Sequence, residues 1–141
     1  VREVRLGEWA VVHGDGTSLW TITHSDDVAV AIVGLAGHPD TLGEAFTVTG
    51  DHAPTWNRIY GWLADAAGVD SPDLVHVASE TMIFDNTKVT ALVPEFETTI
   101  TFDEGARQIV AFYDAHPDRR QVDADRDALF DRIAAHARQA G

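Results

Sequence analysis

The stretch HGDGTSLWTITHSDDVA, residues 13–29, decides how the chain reads. Gly14-Asp15-Gly16 is a tight turn, because glycine takes positive φ freely and aspartate hydrogen-bonds the backbone two residues on. Residues 10–13 (Ala-Val-Val-His) and 18–23 (Ser-Leu-Trp-Thr-Ile-Thr) flank that turn as strands. In the second run Trp20 and Ile22 share one face, and Leu19, Thr21 and Thr23 the other. A helix follows over 26–36. Ser25 or Asp26 caps it, and the carboxylates of Asp26 and Asp27 meet the positive end of its dipole. Val28, Ala31, Ile32 and Leu35 form its apolar stripe. Gly37 closes it, and Pro39 forbids continuation.

Downstream, Ala45–Thr49 is nearly all apolar or β-branched and reads as a strand. Pro54 suits the first turn of a second helix. That helix carries Trp56, Ile59, Tyr60, Leu63 and Ala67 on one stripe and ends at Gly68. Leu74–Ala78 is a further strand, with Leu74, His76 and Ala78 on one face. Ser79–Phe84 is read as a single helical turn, and Asn86–Leu92 as a short helix stopped by Pro94. Asp103 caps a helix whose buried stripe is Ile109, Phe112, Tyr113 and His116. Asp123 starts a last helix with Leu129, Phe130, Ile133 and Ala137 facing inward. A few short strands among about five helices give an α/β class, in the manner of an α+β fragment.

Composition narrows the function. At 141 residues, with 45% hydrophobic and 23% charged residues, the chain is one domain or a large part of one. It has no cysteine, which removes disulfides, thiol nucleophiles and cysteine-ligated metals. Ten basic residues against 23 acidic ones leave a formal charge of −13. Such a surface repels nucleic-acid phosphates and anionic membranes, so neither is expected as a partner. No apolar run reaches the roughly 20 residues that cross a bilayer. The start, Val-Arg-Glu-Val-Arg, lacks a secretory core and an initiating methionine. A cytoplasmic protein is expected, beginning inside a longer gene product.

Three stretches, in order, carry a resemblance. The first runs from Gly14-Asp15-Gly16 through His24-Ser25-Asp26-Asp27-Val28-Ala29. The second is Gly43-Glu44-Ala45-Phe46-Thr47-Val48-Thr49-Gly50, followed by Thr55-Trp56 and a helix. The third joins Asp85-Asn86-Thr87-Lys88, Val93-Pro94-Glu95-Phe96 and Phe102-Asp103-Glu104-Gly105, with Phe112-Tyr113 beyond. From about Val11 to Pro117 the chain resembles the C-terminal part of the NAD-dependent epimerase/dehydratase family, the extended short-chain dehydrogenases. The resemblance implies that residues 1–141 form a single C-terminal substrate-binding portion of a Rossmann-type dehydrogenase. The dinucleotide-binding half then lies outside this chain. It also implies an enzyme that moves hydride to or from a carbonyl or alcohol carbon, with NAD or NADP held by the full-length parent.

The family's reactive motifs are missing here. Its cofactor rests on a glycine-rich strand-to-helix turn, and no GxxGxxG occurs. Its general base is a tyrosine with a lysine four residues on, yet Tyr60 is followed at that offset by Ala64 and Tyr113 by Pro117. This chain alone is therefore expected to bind no cofactor, to hold no catalytic residue and to be inactive. Nucleotide-sugar members carry an arginine where this chain has Trp20. An aromatic ring stacks on flat or apolar groups and cannot pair with a diphosphate. The expected partner is a small-molecule carbonyl or alcohol substrate that is not a nucleotide sugar, with Trp20 and His13 lining its pocket.

Blander readings stand beside these. Trp20 on a strand can simply be core, as can Trp56 and Tyr60. His13-x-Asp15 and His24-x-Asp26 pair possible metal ligands, but no third ligand is marked, so a His/Asp metal hydrolase ranks low. His24 and Asp27 are expected to bond locally at the strand-to-helix junction. Asp26 and Asp27 read as helix-start residues and not as an acid–base pair. Lys88 is a surface cation or the partner of Asp85. A different class also fits: a standalone, non-catalytic α+β module for small-molecule binding or oligomerisation. If Ala45–Thr49 has lost its strand neighbours, its edge would recruit a second copy by dimerisation or swapping.

Overall fold

The computed structural model describes residues 9–77, 81–121 and 123–140; the side chains of His13, His76, Val77 and Ala140 also lie outside the description. Strand β1 (Trp9–His13) leads to helices α1 (Ser25–Leu35) and α2 (Trp56–Ala67), then to strand β2 (Asp73–Val77). Helices α3 (Thr87–Leu92), α4 (Phe102–Ala115) and α5 (Ala124–Ala140) follow. β1 and β2 pair in parallel, from Trp9 opposite Asp73 to His13 opposite Val77. A parallel pair needs a long crossover, and α1 and α2 lie within it.

Two packed regions hold the chain together. At the sheet, Ala10, Val12 and Val75 are buried. The Tyr60 hydroxyl on α2 donates to the Val11 carbonyl at 3.0 Å, and α2 also packs along α4. α5 lies against β2, where Arg138 pairs with Asp73 at 3.4 Å. The second region gathers Ala31, Val89, Val93 and Phe96, with Leu35, Phe46, Val48 and Leu92 around them. Gly34 makes this packing possible: a Cβ there would sit 2.5 Å from Val93 Cγ1.

α2 follows the sequence periodicity. α2 ends at Gly68, whose φ of 67° is left-handed and whose N–H reaches back to the carbonyls of Ala64 and Asp65. α1 ends before Gly37, at φ 78°. The caps differ from the expected ones. His24 caps α1 in place of Ser25 or Asp26, its ring accepting from the Asp26 N–H. Thr55 caps α2, which leaves Pro54 ahead of the helix. Thr101 occupies the cap position of α4, and Asp103 falls in the first turn.

Other expectations are corrected. Residues 18–23 do not form a strand: they make only single bridges, Leu19 to Thr55 and Trp20 to Met82. Ala45–Thr49 is not a strand either. Its polar groups are met by side chains from elsewhere: Asn86 Nδ2 donates to the Thr49 carbonyl at 3.0 Å. The neighbouring Gly50 N–H donates to Thr23 Oγ1 at 2.7 Å. Phe46 and Val48 pack into the second cluster, so the strand edge proposed for a second copy is not formed. Of the turn read over Ser79–Phe84, residues 79–80 lie outside the description, and 81–84 are extended around the Met82 bridge.

Three helix stripes are borne out only in part. Ile32 on α1 is 59% exposed, whereas Asp27 is buried. α4 buries Gly105, Ala106 and Val110, leaving Ile109 and Phe112 exposed. On α5, Ala134 is buried while Leu129 and Phe130 face outward.

Candidate functional site

The glycine turn is docked onto the start of α2. Asn57 N–H donates to the Gly16 carbonyl at 3.0 Å, and Asn57 Nδ2 donates to the Asp15 carbonyl at 3.4 Å. Gly16 has φ 78°, and a Cβ there would lie 1.8 Å from Asn57 Oδ1. Asp15 Oδ1 accepts from the N–H and the hydroxyl of Thr17, so the aspartate closes a turn, as read from the sequence.

The same docking places Trp20. Its N–H donates to the Pro54 carbonyl at 3.0 Å. Its ring centroid lies 5.7 Å from that of Trp56, tilted by 43°. Trp56 in turn lies 6.4 Å from Tyr60. Three half-buried aromatic rings therefore form one wall along the first two turns of α2. The sequence read Trp56 and Tyr60 as core and did not join them to Trp20. On the other side, Met82 N–H donates to the Leu19 carbonyl at 3.1 Å, and Leu19 N–H donates to Thr81 Oγ1 at 3.3 Å. Met82, Ile83 and Phe84 continue from there as an exposed apolar run. His13 ends β1 one residue before the glycine turn; its side chain lies outside the described residues.

A second feature is a cleft of about 460 Å³ between the start of α1 and α4, lined by Ile22, His24, Gln108, Ile109, Phe112 and Tyr113 among others. His24 Nδ1 accepts from Asp26 N–H at 3.2 Å. Its Nε2 consequently carries the proton and donates to Gln108 Oε1 at 2.9 Å. Gln108 was not singled out in the sequence, since 84 residues separate it from His24.

The two aspartates behind His24 have opposite fates. Asp26 is exposed, 3.8 Å from His24 Nδ1. Asp27 is buried and accepts from Thr99 Oγ1 at 3.0 Å and Ile100 N–H at 3.2 Å. Asp27 therefore bonds across the fold, not locally as expected.

Lys88 pairs not with Asp85 but with Glu44, at 2.6 Å, and also donates to the Ala45 carbonyl at 3.0 Å. Hydrogen bonding and charge from Lys88 hold the Glu44 carboxyl below its ordinary value. Asp85 is held low by the Thr87 hydroxyl and N–H. Among the described residues no three His, Asp or Glu side chains gather to hold a metal ion, and no helix is long and apolar enough to cross a membrane.

No family model matches the sequence, and no curated protein matches it. Solved structures do. Against dTDP-glucose 4,6-dehydratase from Bacillus anthracis, in complex with NAD, the TM-score is 0.67 at 19% identity, over 84% of this chain and 39% of that one. UDP-glucose 4-epimerase from Thermotoga maritima, with UDP-glucose, gives 0.66 at 22% identity, over 80% and 37%. UDP-glucuronic acid 4-epimerase from Bacillus cereus, in complex with NAD, gives 0.63 at 18% identity, over 77% and 39%. The chain has the fold of their C-terminal part. It spans less than two fifths of the length of each.

The glycine turn does not have the form that holds a dinucleotide. Its pyrophosphate needs free backbone amides at a helix start. The only GxG turn carries the Asp15 carboxylate and runs into an extended segment.

Proposed function

We propose that the chain is the substrate-binding, C-terminal part of an NAD(P)-dependent epimerase, dehydratase or reductase acting on a carbonyl or alcohol carbon. The observation that carries this reading is the fold match over 84% of the chain. Of the three matching stretches, the first brings the glycine turn and Trp20 and the second leads to Thr55-Trp56, which build the wall, while the third forms the approach to α4. The dinucleotide and the proton-transfer residues belong to a half outside these 141 residues. This part shapes the substrate chamber and keeps water from the reacting carbon.

Trp20 carries the substrate reading: a ring in the phosphate-gripping position favours a substrate other than a nucleotide sugar. The protein works in the cytoplasm on a small molecule, without nucleic acid or membrane. The test is the genomic sequence directly upstream of Val1. An in-frame GxxGxxG followed by YxxxK supports the reading, and a start codon close to Val1 with neither motif overturns it.

A further inference from the structure

We propose that the aromatic wall is a subsite for a planar, uncharged ring on the substrate, so that the substrate class is a ring-bearing carbonyl or alcohol compound without phosphate. This rests on the substrate-binding reading above and deepens it. Three observations carry it.

The first is the ring geometry. Trp20 and Trp56, with centroids 5.7 Å apart and planes tilted by 43°, form a shallow V that Tyr60 extends. Offset and tilted contacts are the favoured way for a further ring to join such a cluster.

The second is the surface that continues the wall. The Trp20–Met82 bridge brings an apolar run beside it, in which Met82, Ile83 and Phe84 are 41%, 61% and 47% exposed. Three consecutive exposed apolar residues beside a tryptophan are a surface that favours apolar contact.

The third is charge. No lysine or arginine occurs from Trp9 to Asn57, or from Ile59 to Thr87. Those spans include β1, the glycine turn, the Trp20 segment and the Met82 run. Arg58, the cation between them, lies over the Trp62 ring at 4.9 Å. Arg2 and Arg5 lie outside the described residues. Asp15 closes the turn that leads into the Trp20 segment, so a diphosphate there would meet a carboxylate where it needs guanidinium groups.

The test follows the four indole N–H signals of the 15N-labelled 141-residue chain by two-dimensional NMR while 2-acetonaphthone, an uncharged aryl ketone, is added, and in a parallel titration UDP-glucose. The expected result is a saturable shift of the Trp20 and Trp56 indoles, with those of Trp9 and Trp62 unmoved, and no shift with UDP-glucose. Trp20→Ala should weaken acetonaphthone binding at least tenfold, and Trp20→Phe by less than threefold. Saturable UDP-glucose binding at the Trp20 and Trp56 indoles, or acetonaphthone shifts that spare them, overturns the proposal. The wild-type shift pattern decides the matter even if Trp20→Ala fails to fold. Failure here leaves the upstream motifs of the parent untouched, so the substrate class can fall while the substrate-binding reading stands.

Discussion

Replacing Asp27 by alanine should be among the most damaging single changes away from the aromatic wall. Asp27 stands in the first turn of α1, buried, and ties that helix to the strand-like approach to α4. It accepts two hydrogen bonds, from Thr99 Oγ1 at 3.0 Å and Ile100 N–H at 3.2 Å. Each hydrogen bond to a charged group contributes about 1.5–3 kcal/mol. The carboxylate adds about 0.3–1 kcal/mol at the positive end of the helix dipole. The summed loss in Asp27→Ala is about 3–7 kcal/mol, a large share of the roughly 5–15 kcal/mol that holds a domain together. At about 3–4 °C per kcal/mol for a domain of this size, Tm falls by about 10–25 °C.

Asp27→Asn separates shape from charge. Its Oδ1 can accept from Ile100 N–H while Nδ2 donates to the Thr99 hydroxyl, so the loss should be only about 1–2 kcal/mol. Urea unfolding followed by far-UV circular dichroism at neutral pH measures all three proteins. An alanine variant within about 1 kcal/mol of wild type, or an asparagine variant as damaged as alanine, would refute the reasoning.

Other changes test other parts of the fold. Gly34→Ala gains about 1 kcal/mol of helix propensity. Its Cβ, however, falls 2.5 Å and 2.9 Å from the two methyls of buried Val93. Overpacking costs about 1–3 kcal/mol, so a net loss is expected, and adding Val93→Ala should recover part of it in the same urea titration. The Thr21 hydroxyl is buried without a hydrogen-bond partner among the described residues. Thr21→Val should therefore raise stability by about 1 kcal/mol, and a loss of that size would reveal a partner for the hydroxyl. Lys88→Met keeps the contact with Phe46 and removes the cation beside Glu44. Because Lys88 depresses the Glu44 pKa, the stability that the pair contributes is present above the ordinary value of 4.5 and is lost as the pH falls below it. The thermal melts of wild type and Lys88→Met should thus converge in acid and at high salt.

The helices were legible because their signals are local. Trp56, Ile59, Tyr60 and Leu63 repeat at helical spacing, and Gly68 has the left-handed φ that ends α2. The two segments misread as strands were not legible, for one shared reason. Alternation at 18–23 and β-branching at 45–49 describe residues that fit a ladder, but a ladder also needs a neighbour. At 45–49 the Ala45 and Thr49 carbonyls are met by the Lys88 and Asn86 side chains, and at 18–23 the backbone makes isolated bonds, among them those to Pro54 and Met82.

The exposed side of α4 has a similar origin. Periodicity shows that Ile109 and Phe112 share a side of the helix, but not that the side opens on a cleft. For the wall, Trp20 was visible as an aromatic residue in a position that the resemblance gives to arginine. Its contact with Trp56 was hidden in the docking of a glycine turn on a helix start 36 residues away.

The central claim is that these residues wall a substrate chamber while the redox machinery lies elsewhere in the same protein. The most direct measurement is calorimetric titration of the 141-residue chain with NAD and NADPH, run beside a turnover assay with aryl ketones and alcohols. The chain alone should show neither dinucleotide binding nor turnover, and the protein from the uninterrupted reading frame should show both. Tight nicotinamide dinucleotide binding with unaided turnover by the 141 residues would contradict the account.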